Sequence, residues 1–324
     1  MFRNLAIAAA LSAALATPAL AVDGYPARPI TIVVPAAAGG PSDVVARVVA
    51  PVIAREVKGT VVIENQGGAG GTIGAARVAR AAPDGYTLYL YHIANSTWPA
   101  LYRKLPFDVI GDFETIGLIN DVPMTLVSRK GVPAKDFKEL LAWIKSKGKD
   151  VTIGNAGVGS ASHLCGLLFM SAIGTELTPV PYKGTAPAMN DLLGGQIDLM
   201  CDQVTNTKSQ VDAGKINVYA VTTMERLPAL KDVPTLNELG LRNFELSAWH
   251  GLWAPKGTPK PIVDELAKAL QVAVKDPSVV QRFTELGAVP VAPAAATPAA
   301  LSERMKSEVQ RWGPIIKAAG QYAD

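Results

Sequence analysis

Three segments of the chain share a design that holds an anion without a lysine: Ala36 to Asp43, Asn155 to His163, and Tyr182 to Ala188. In each, an apolar run ends, small residues follow, and a hydroxyl or carboxylate residue opens a run with helical spacing. Helix N-termini carry unpaired N–H groups and a partial positive charge, so each loop could receive a carboxylate or a phosphate. The competing reading is structural, with Ser42, Ser160 or Ser162, and Thr185 capping helices. Capping suffices for one such loop; three of them, divided between two halves of the chain, favour a binding site. Asp43 fits as support for its helix start or as the anchor of a water, because a carboxylate facing an anion repels it.

Other chemistries fit less well. Gly68-Ala-Gly70-Gly-Thr-Ile-Gly74 follows an apolar run and opens a helical one, like a dinucleotide fingerprint, yet Asp84 falls in a turn and not at the end of the next strand. Ser162, His163 and Asp202 offer the groups of a hydrolase triad, but sequence neighbours on a helix point about 100° apart, and no G-x-S-x-G elbow occurs. We therefore expect no enzyme. His92, His163 and His250 lie far apart with no paired ligand near, so no metal and no cofactor are expected. His163 fits a cap or a ligand contact equally. His92, just past a strand, could reach a cleft or sit at the surface. Trp249-His250 reads either as an aromatic lid or as core, and Tyr89 with Tyr91 as core on one strand face.

The elements that must carry these residues follow from periodicity. Ile30 to Val34 reads as a strand buried on both faces, followed by a helix from Pro41 that Pro51 should kink or break. Strands are expected at Thr60 to Glu64 and Tyr86 to Tyr91, with a helix from Thr72 to Ala81 between them. Asp112 to Val127 reads as extended and interrupted at Pro123. A second series then alternates helices at 136–147, 162–173, 186–193 and 205–213 with strands at 151–155, 178–182, 197–201 and 216–222. From Trp249 onward helices dominate, at 260–274, 278–286 and 299–319. This alternation predicts an α/β fold of two lobes, each a mostly parallel sheet flanked by helices, with a ligand at the strand ends between them. Because the last helices have no sheet of their own, the C-terminal third should pack back on the first. The lobes would comprise 22–122 plus about 246–324, and about 123–245.

The 324-residue chain, 49% hydrophobic and 18% charged, is neither disordered nor a disulfide scaffold, and its net charge of +3 is too small for a nucleic-acid footprint. Arg3 precedes an apolar run from Leu5 to Ala16 and a small-x-small site at Ala19-Leu20-Ala21, which predicts export to the periplasm with cleavage after Ala21. That run is too short to span a bilayer, and no direct membrane insertion is expected after its removal. In an oxidising compartment Cys165 and Cys201 fit either a disulfide or a pair of buried thiols.

Taken together, these segments resemble the periplasmic substrate-binding proteins of tripartite tricarboxylate transporters, the Bug receptors. The resemblance rests on Tyr25-Pro through Pro41-Ser-Asp43, on Glu64-Asn-Gln-Gly-Gly-Ala-Gly-Gly-Thr-Ile-Gly74, and on Pro83-Asp-Gly-Tyr-Thr-Leu88. It continues in Gly157-Val-Gly-Ser-Ala-Ser-His163, Pro181 to Leu192, and Trp249 to Pro259. It implies a type II-like periplasmic-binding-protein fold that closes on a small carboxylate and passes it to membrane permease subunits, with the receptor itself expected as a monomer. The ligand contacts it implies are Ala37, Ala38, Gly39 and Asp43; Asn95 and Ser96; Ser160 and His163; Thr185 and Ala186; and Asp202. Two departures stand out. Ala36 replaces a common aromatic, which would widen the pocket, and His250 replaces a common Tyr or Phe, which would add a donor. Both point to a larger dicarboxylate, with an aromatic diacid such as terephthalate as one form. A periplasmic sensor partner and a secreted serine hydrolase are the alternative functions.

Overall fold

The computed structural model describes residues 24–318, so the export segment expected at residues 1–21 lies outside the described residues. The first part of the chain runs β1 (Ile30–Val34), α1 (Pro41–Glu56), β2 (Val61–Asn65), α2 (Thr72–Ala79), β3 (Thr87–His92), α3 (Ala94–Leu101) and β4 (Phe113–Arg129). The second series follows as α4 (Phe137–Lys147), β5 (Thr152–Asn155), α5 (Ala161–Ile173), β6 (Thr178–Pro181), α6 (Thr185–Leu193), β7 (Leu199–Gln203), α7 (Val204–Asp212) and β8 (Ile216–Val221). The chain ends with β9 (Ser247–Pro255), α8 (Lys260–Ala273), α9 (Pro277–Glu285), β10 (Val289–Pro290) and α10 (Pro298–Ala318).

The strands form one curled, mixed α/β architecture with two parallel triplets. In the first, β1 lies between β2 and β3, and in the second, β5 lies between β6 and β7. Antiparallel strands join them: β9 pairs with β3 and β4, and β4 pairs with β7 and β8. β4 is shared. Its Phe113 to Pro123 half pairs with β9, and its Met124 to Ser128 half pairs with β7. The helices cover the triplets by apolar faces. Val45, Val49, Val52 and Ile53 of α1 enter one core with Leu266 and Leu270 of α8, so the C-terminal helices do return to the first sheet. Full burial of each such aliphatic side chain contributes about 1.5–3 kcal/mol, and this sets the helix face and thereby the direction of its N-terminus.

Several local expectations change. α1 runs through Pro51 unbroken, because Pro51 is on the exposed side while Val49, Val52 and Ile53 anchor both flanking turns. β4 likewise continues through Pro123, whose missing N–H falls where pairing passes from β9 to β7 and β8. α3 forms where no element is expected, and β9 enters a stretch read as helix-dominated. α3 contains Asn-Ser-Thr and Pro99, poor helix formers, and is held by Trp98 packed in the core. β9 carries Gly251 and two alanines, so its strand state comes from pairing on both sides and not from propensity. Cys165 and Cys201 form a disulfide, Cα to Cα 5.8 Å, which ties α5 to β7.

Candidate ligand-binding site

The three loops converge. Pro41 and Ser42 from α1, Ala161 and Ser162 from α5, and Thr185 from α6 line one cavity, and Asp202 and Gln203 close it where β7 passes into α7. Its interior volume is about 20 Å³, little more than a single water requires, so the loops stand close together around it. Four helix starts therefore face one space. No side chain caps α1 or α6, whose N-cap residues are Gly40 and Gly184, so their first-turn N–H groups are open to a ligand. The capping role considered for Ser42 and Thr185 thus falls to glycines. Ser160, by contrast, is the α5 N-cap and accepts from the His163 N–H at 3.2 Å.

Of the residues singled out in the sequence, His92, Ser160, Thr185 and Asp202 line the cavity. The others stand behind or beside it. Asp43 accepts from Gly39 N–H at 2.8 Å and from Arg47 Nε at 2.9 Å. Burial opposes its charge, but Arg47 and Gly39 outweigh that and hold its carboxyl below the usual range. Asn95 accepts from the Tyr89 hydroxyl at 2.5 Å, and Ser96 donates to Ile93 O at 2.6 Å, so both side chains are engaged locally. Ala38 and Gly39 are exposed, Ala186 is half-buried, and Ala37 packs against Gly184. His163 uses Nδ1 to accept from Gly159 N–H at 3.3 Å; burial pushes its pKa down to about 4, so its imidazole is neutral. His250 is buried on β9, and its neighbour Trp249 is core against Trp253, ring centroids 6.3 Å apart, not a lid.

Other lining residues are not among the ligand contacts expected from the sequence. Ser42 and Ser162 lie in loops read as anion sites but are weighed individually as caps, Ser162 also in a triad that is set aside; Tyr91 is read as core, and Gln203 is not considered. Tyr91 is buried and its hydroxyl donates to Gly70 O at 2.9 Å, fixing the glycine loop beside the cavity. Ser162 accepts from Ala156 N–H at 2.9 Å and contacts Ser160 Oγ at 3.1 Å. It shares no hydrogen bond with His163 among the described residues, so the nucleophile-to-base contact of a triad is not formed.

The strongest electrostatic feature is Asp202. It is fully buried; its Oδ2 accepts from Asn206 Nδ2 at 2.5 Å, while its Oδ1 has no protein partner. Burial raises its pKa to about 7, opposed by the Asn206 hydrogen bond and by the nearby Gln203 N–H and Thr185 hydroxyl. Below about pH 7 this carboxyl is neutral and a donor; above it, it becomes a repelling charge.

Across the cavity mouth the glycine loop between β2 and α2 touches the loops of the second series. A Cβ on Gly67 would stand 2.7 Å from Lys183 O, one on Gly70 would overlap Val158 O, and one on Gly184 would stand 2.7 Å from Ala37 Cβ. Tyr102 adds a bridge, donating to Ala69 O at 2.7 Å and lying 3.1 Å from Val158 O. The Gly68 to Gly74 pattern thus serves close approach of two backbones and not a pyrophosphate. Among the described residues no cluster of three or more His, Cys, Asp or Glu could hold a metal, and no helix is long and apolar enough to cross a membrane.

Residues 45–321 match the family model described as tripartite tricarboxylate transporter family receptor. The chain is 55% identical over 303 residues to an Agrobacterium vitis protein, the "UPF0065 protein in the TAR-I ttuE-ttuC' intergenic region", covering 94% of this chain and 88% of that one. The solved structure of periplasmic binding protein BugD superposes with a TM-score of 0.90 at 50% identity, covering 92% and 99% of the two chains. MatC from Rhodopseudomonas palustris with bound malate gives 0.87 at 39% identity, covering 90% and 100%. An R. palustris protein with adipate gives 0.87 at 33% identity, covering 91% and 98%.

Proposed function

Because the chain belongs to the tripartite tricarboxylate transporter receptor family, we propose that it is a periplasmic receptor that captures a compact aliphatic dicarboxylate and delivers it to the transporter's membrane permease, without catalysing a reaction. The observation that carries this reading is the convergence of four helix starts on one small cavity, three of them without side-chain caps. One carboxylate would sit on the α1 and α6 N–H groups and the Ser42, Ser160 and Thr185 hydroxyls. Neutral Asp202, with Oδ1 directed at no protein group, would add a further donor.

We take the lobes as residues 22–122 plus about 246–324, and about 123–245, closing on the ligand as the backbone contacts at Gly67, Gly70 and Gly184 form. The malate and the adipate held by the two related structures favour a four- to six-carbon diacid. The open position at Ala36 leaves room for a longer acid, and a terephthalate-type ligand is an outcome the test must include. Calorimetry on dialysed protein against mono-, di- and tricarboxylates checks this. Binding of a short diacid with a raised melting temperature and no turnover supports the receptor. Indifference to every acid, or hydrolysis of an ester panel, overturns it, and tight binding of terephthalate alone overturns the size argument.

Thr185→Val keeps the shape of that side chain while deleting its donor. A charge-assisted hydrogen bond contributes about 1.5–3 kcal/mol, so Kd should rise by roughly 10- to 100-fold. Unchanged affinity in the same titration would remove the α6 loop from the site.

A further inference from the structure

Ser42 and His250 are joined by a buried hydrogen bond, Oγ to Nε2 at 3.1 Å, that links the cavity wall to the interior of the sheet. Ser42 is 1% exposed and His250 0% exposed. We propose that His250 is a positioning residue: its Nε2–H donates to Ser42, which turns the Ser42 hydroxyl proton into the cavity and makes Ser42 a ligand donor. This rests on reading the cavity as a carboxylate site.

The direction of the bond follows from the two ring nitrogens. His250 Nδ1 has no protein partner among the described residues; the Ala248 carbonyl lies near the ring but forms no hydrogen bond of acceptable geometry with it. Unpaired buried N–H groups are rarer than unpaired acceptors, so the single proton of the neutral ring belongs on Nε2, where Ser42 accepts it. Burial pushes the His250 pKa down to about 3, so the ring carries one proton and not two. The ligand reinforces the choice. With Nε2 bare, Ser42 would donate into the wall and present lone pairs to an anion, which helix starts have drawn to that spot.

Neighbouring β3 supplies the second histidine of the wall. His92 lies opposite His250 in the β3 to β9 register, and its Nδ1 accepts from Ala94 N–H at 3.2 Å. Its own proton is therefore on Nε2. Both imidazoles thus hold fixed tautomers, set from the backbone for His92 and from Ser42 for His250.

A double-mutant cycle with rescue tests the relay. Ser42→Ala and His250→Phe should each weaken binding of the best diacid from the panel about tenfold, and the double variant should lose no more than either single one. His250→Gln places an amide donor where Nε2 stands and should recover affinity to within about threefold of wild type. Additive losses, or a His250→Gln variant as weak as His250→Phe, overturn the relay. The nitrogen chemical shifts of His250 need no variant: with and without ligand they should report a protonated Nε2 and a bare Nδ1. The reverse tautomer overturns the proposal even if the variants fail to fold. A wild-type protein that binds no carboxylate would instead sink the receptor reading, and the ligand-free tautomer would still decide this one.

Discussion

Replacing Gly70 by alanine should weaken ligand binding by up to roughly 150-fold while leaving the ligand-free fold nearly as stable as a control. The added Cβ would overlap the Val158 carbonyl oxygen across the cavity mouth, and both atoms are fixed by backbone geometry, so no rotamer change relieves the contact. Overpacking of this kind costs about 1–3 kcal/mol, equivalent to roughly 5- to 150-fold in Kd when it acts only on the closed arrangement. Gly70 also has φ of +61°, a left-handed value that costs an alanine about 1–2 kcal/mol whether or not ligand is bound. Gly214→Ala separates the two effects, since Gly214 has φ of +65° and nothing within 4 Å of an added Cβ. Calorimetry should show weak binding for the first variant and wild-type binding for the second, with similar melting temperatures. Equal affinities would mean that the Gly70 to Val158 approach is not part of the ligand-bound state.

Asp202→Asn should abolish a pH dependence that the wild type shows. The buried carboxyl has its pKa raised to about 7, so it is neutral below that pH and charged above it. A charged Asp202 faces an anionic ligand in a small cavity, and wild-type Kd should therefore rise as pH passes 7, approaching tenfold per pH unit, with one proton taken up on binding. Titrations from pH 5.5 to 8.5 in buffers of different ionisation enthalpy read both quantities. The asparagine variant should bind with a flat profile near the wild-type strength seen at low pH. Stability carries the same sign. Between the unfolded value of 3.8 and about 7 the unfolded chain releases this proton while the folded one retains it. The contribution of Asp202 to stability therefore declines by about 1.4 kcal/mol per pH unit across that window, and the decline should vanish in the variant. A flat wild-type binding profile would place the ligand away from Asp202.

The parts of this molecule that were legible from sequence are those set by local rules. The β1 run ending at Pro35 and a serine cap on α5, read as Ser160 or Ser162, follow from propensity and capping, and with the small-residue loops they sufficed to place three loops at one site. What was illegible depends on partners distant in sequence. β9 is a strand because β3 and β4 flank it, and α3 is a helix because Trp98 is held in the core. Once β9 is a strand, Trp249 and His250 point into packed interior, and the lid reading of that pair disappears. Ser42 shows the same limit at the scale of a side chain: its sequence context reads as a cap, and only the fold brings β9 close enough to give it a histidine partner. The disulfide between Cys165 and Cys201 was one of two open readings, settled by the approach of α5 to β7.

One feature of the architecture reaches beyond binding. β4 contributes nine residues to the pairing with β9 and then continues, without a loop, into the pairing with β7 and β8. Neither sheet can dissolve without stripping hydrogen bonds from a strand the other requires. Heat or denaturant should therefore melt both halves in a single cooperative transition, and a cut at residue 123 would strip the Phe113 to Pro123 half of β4 of its partner in the first piece and leave β9 without β3 and that half of β4 in the second.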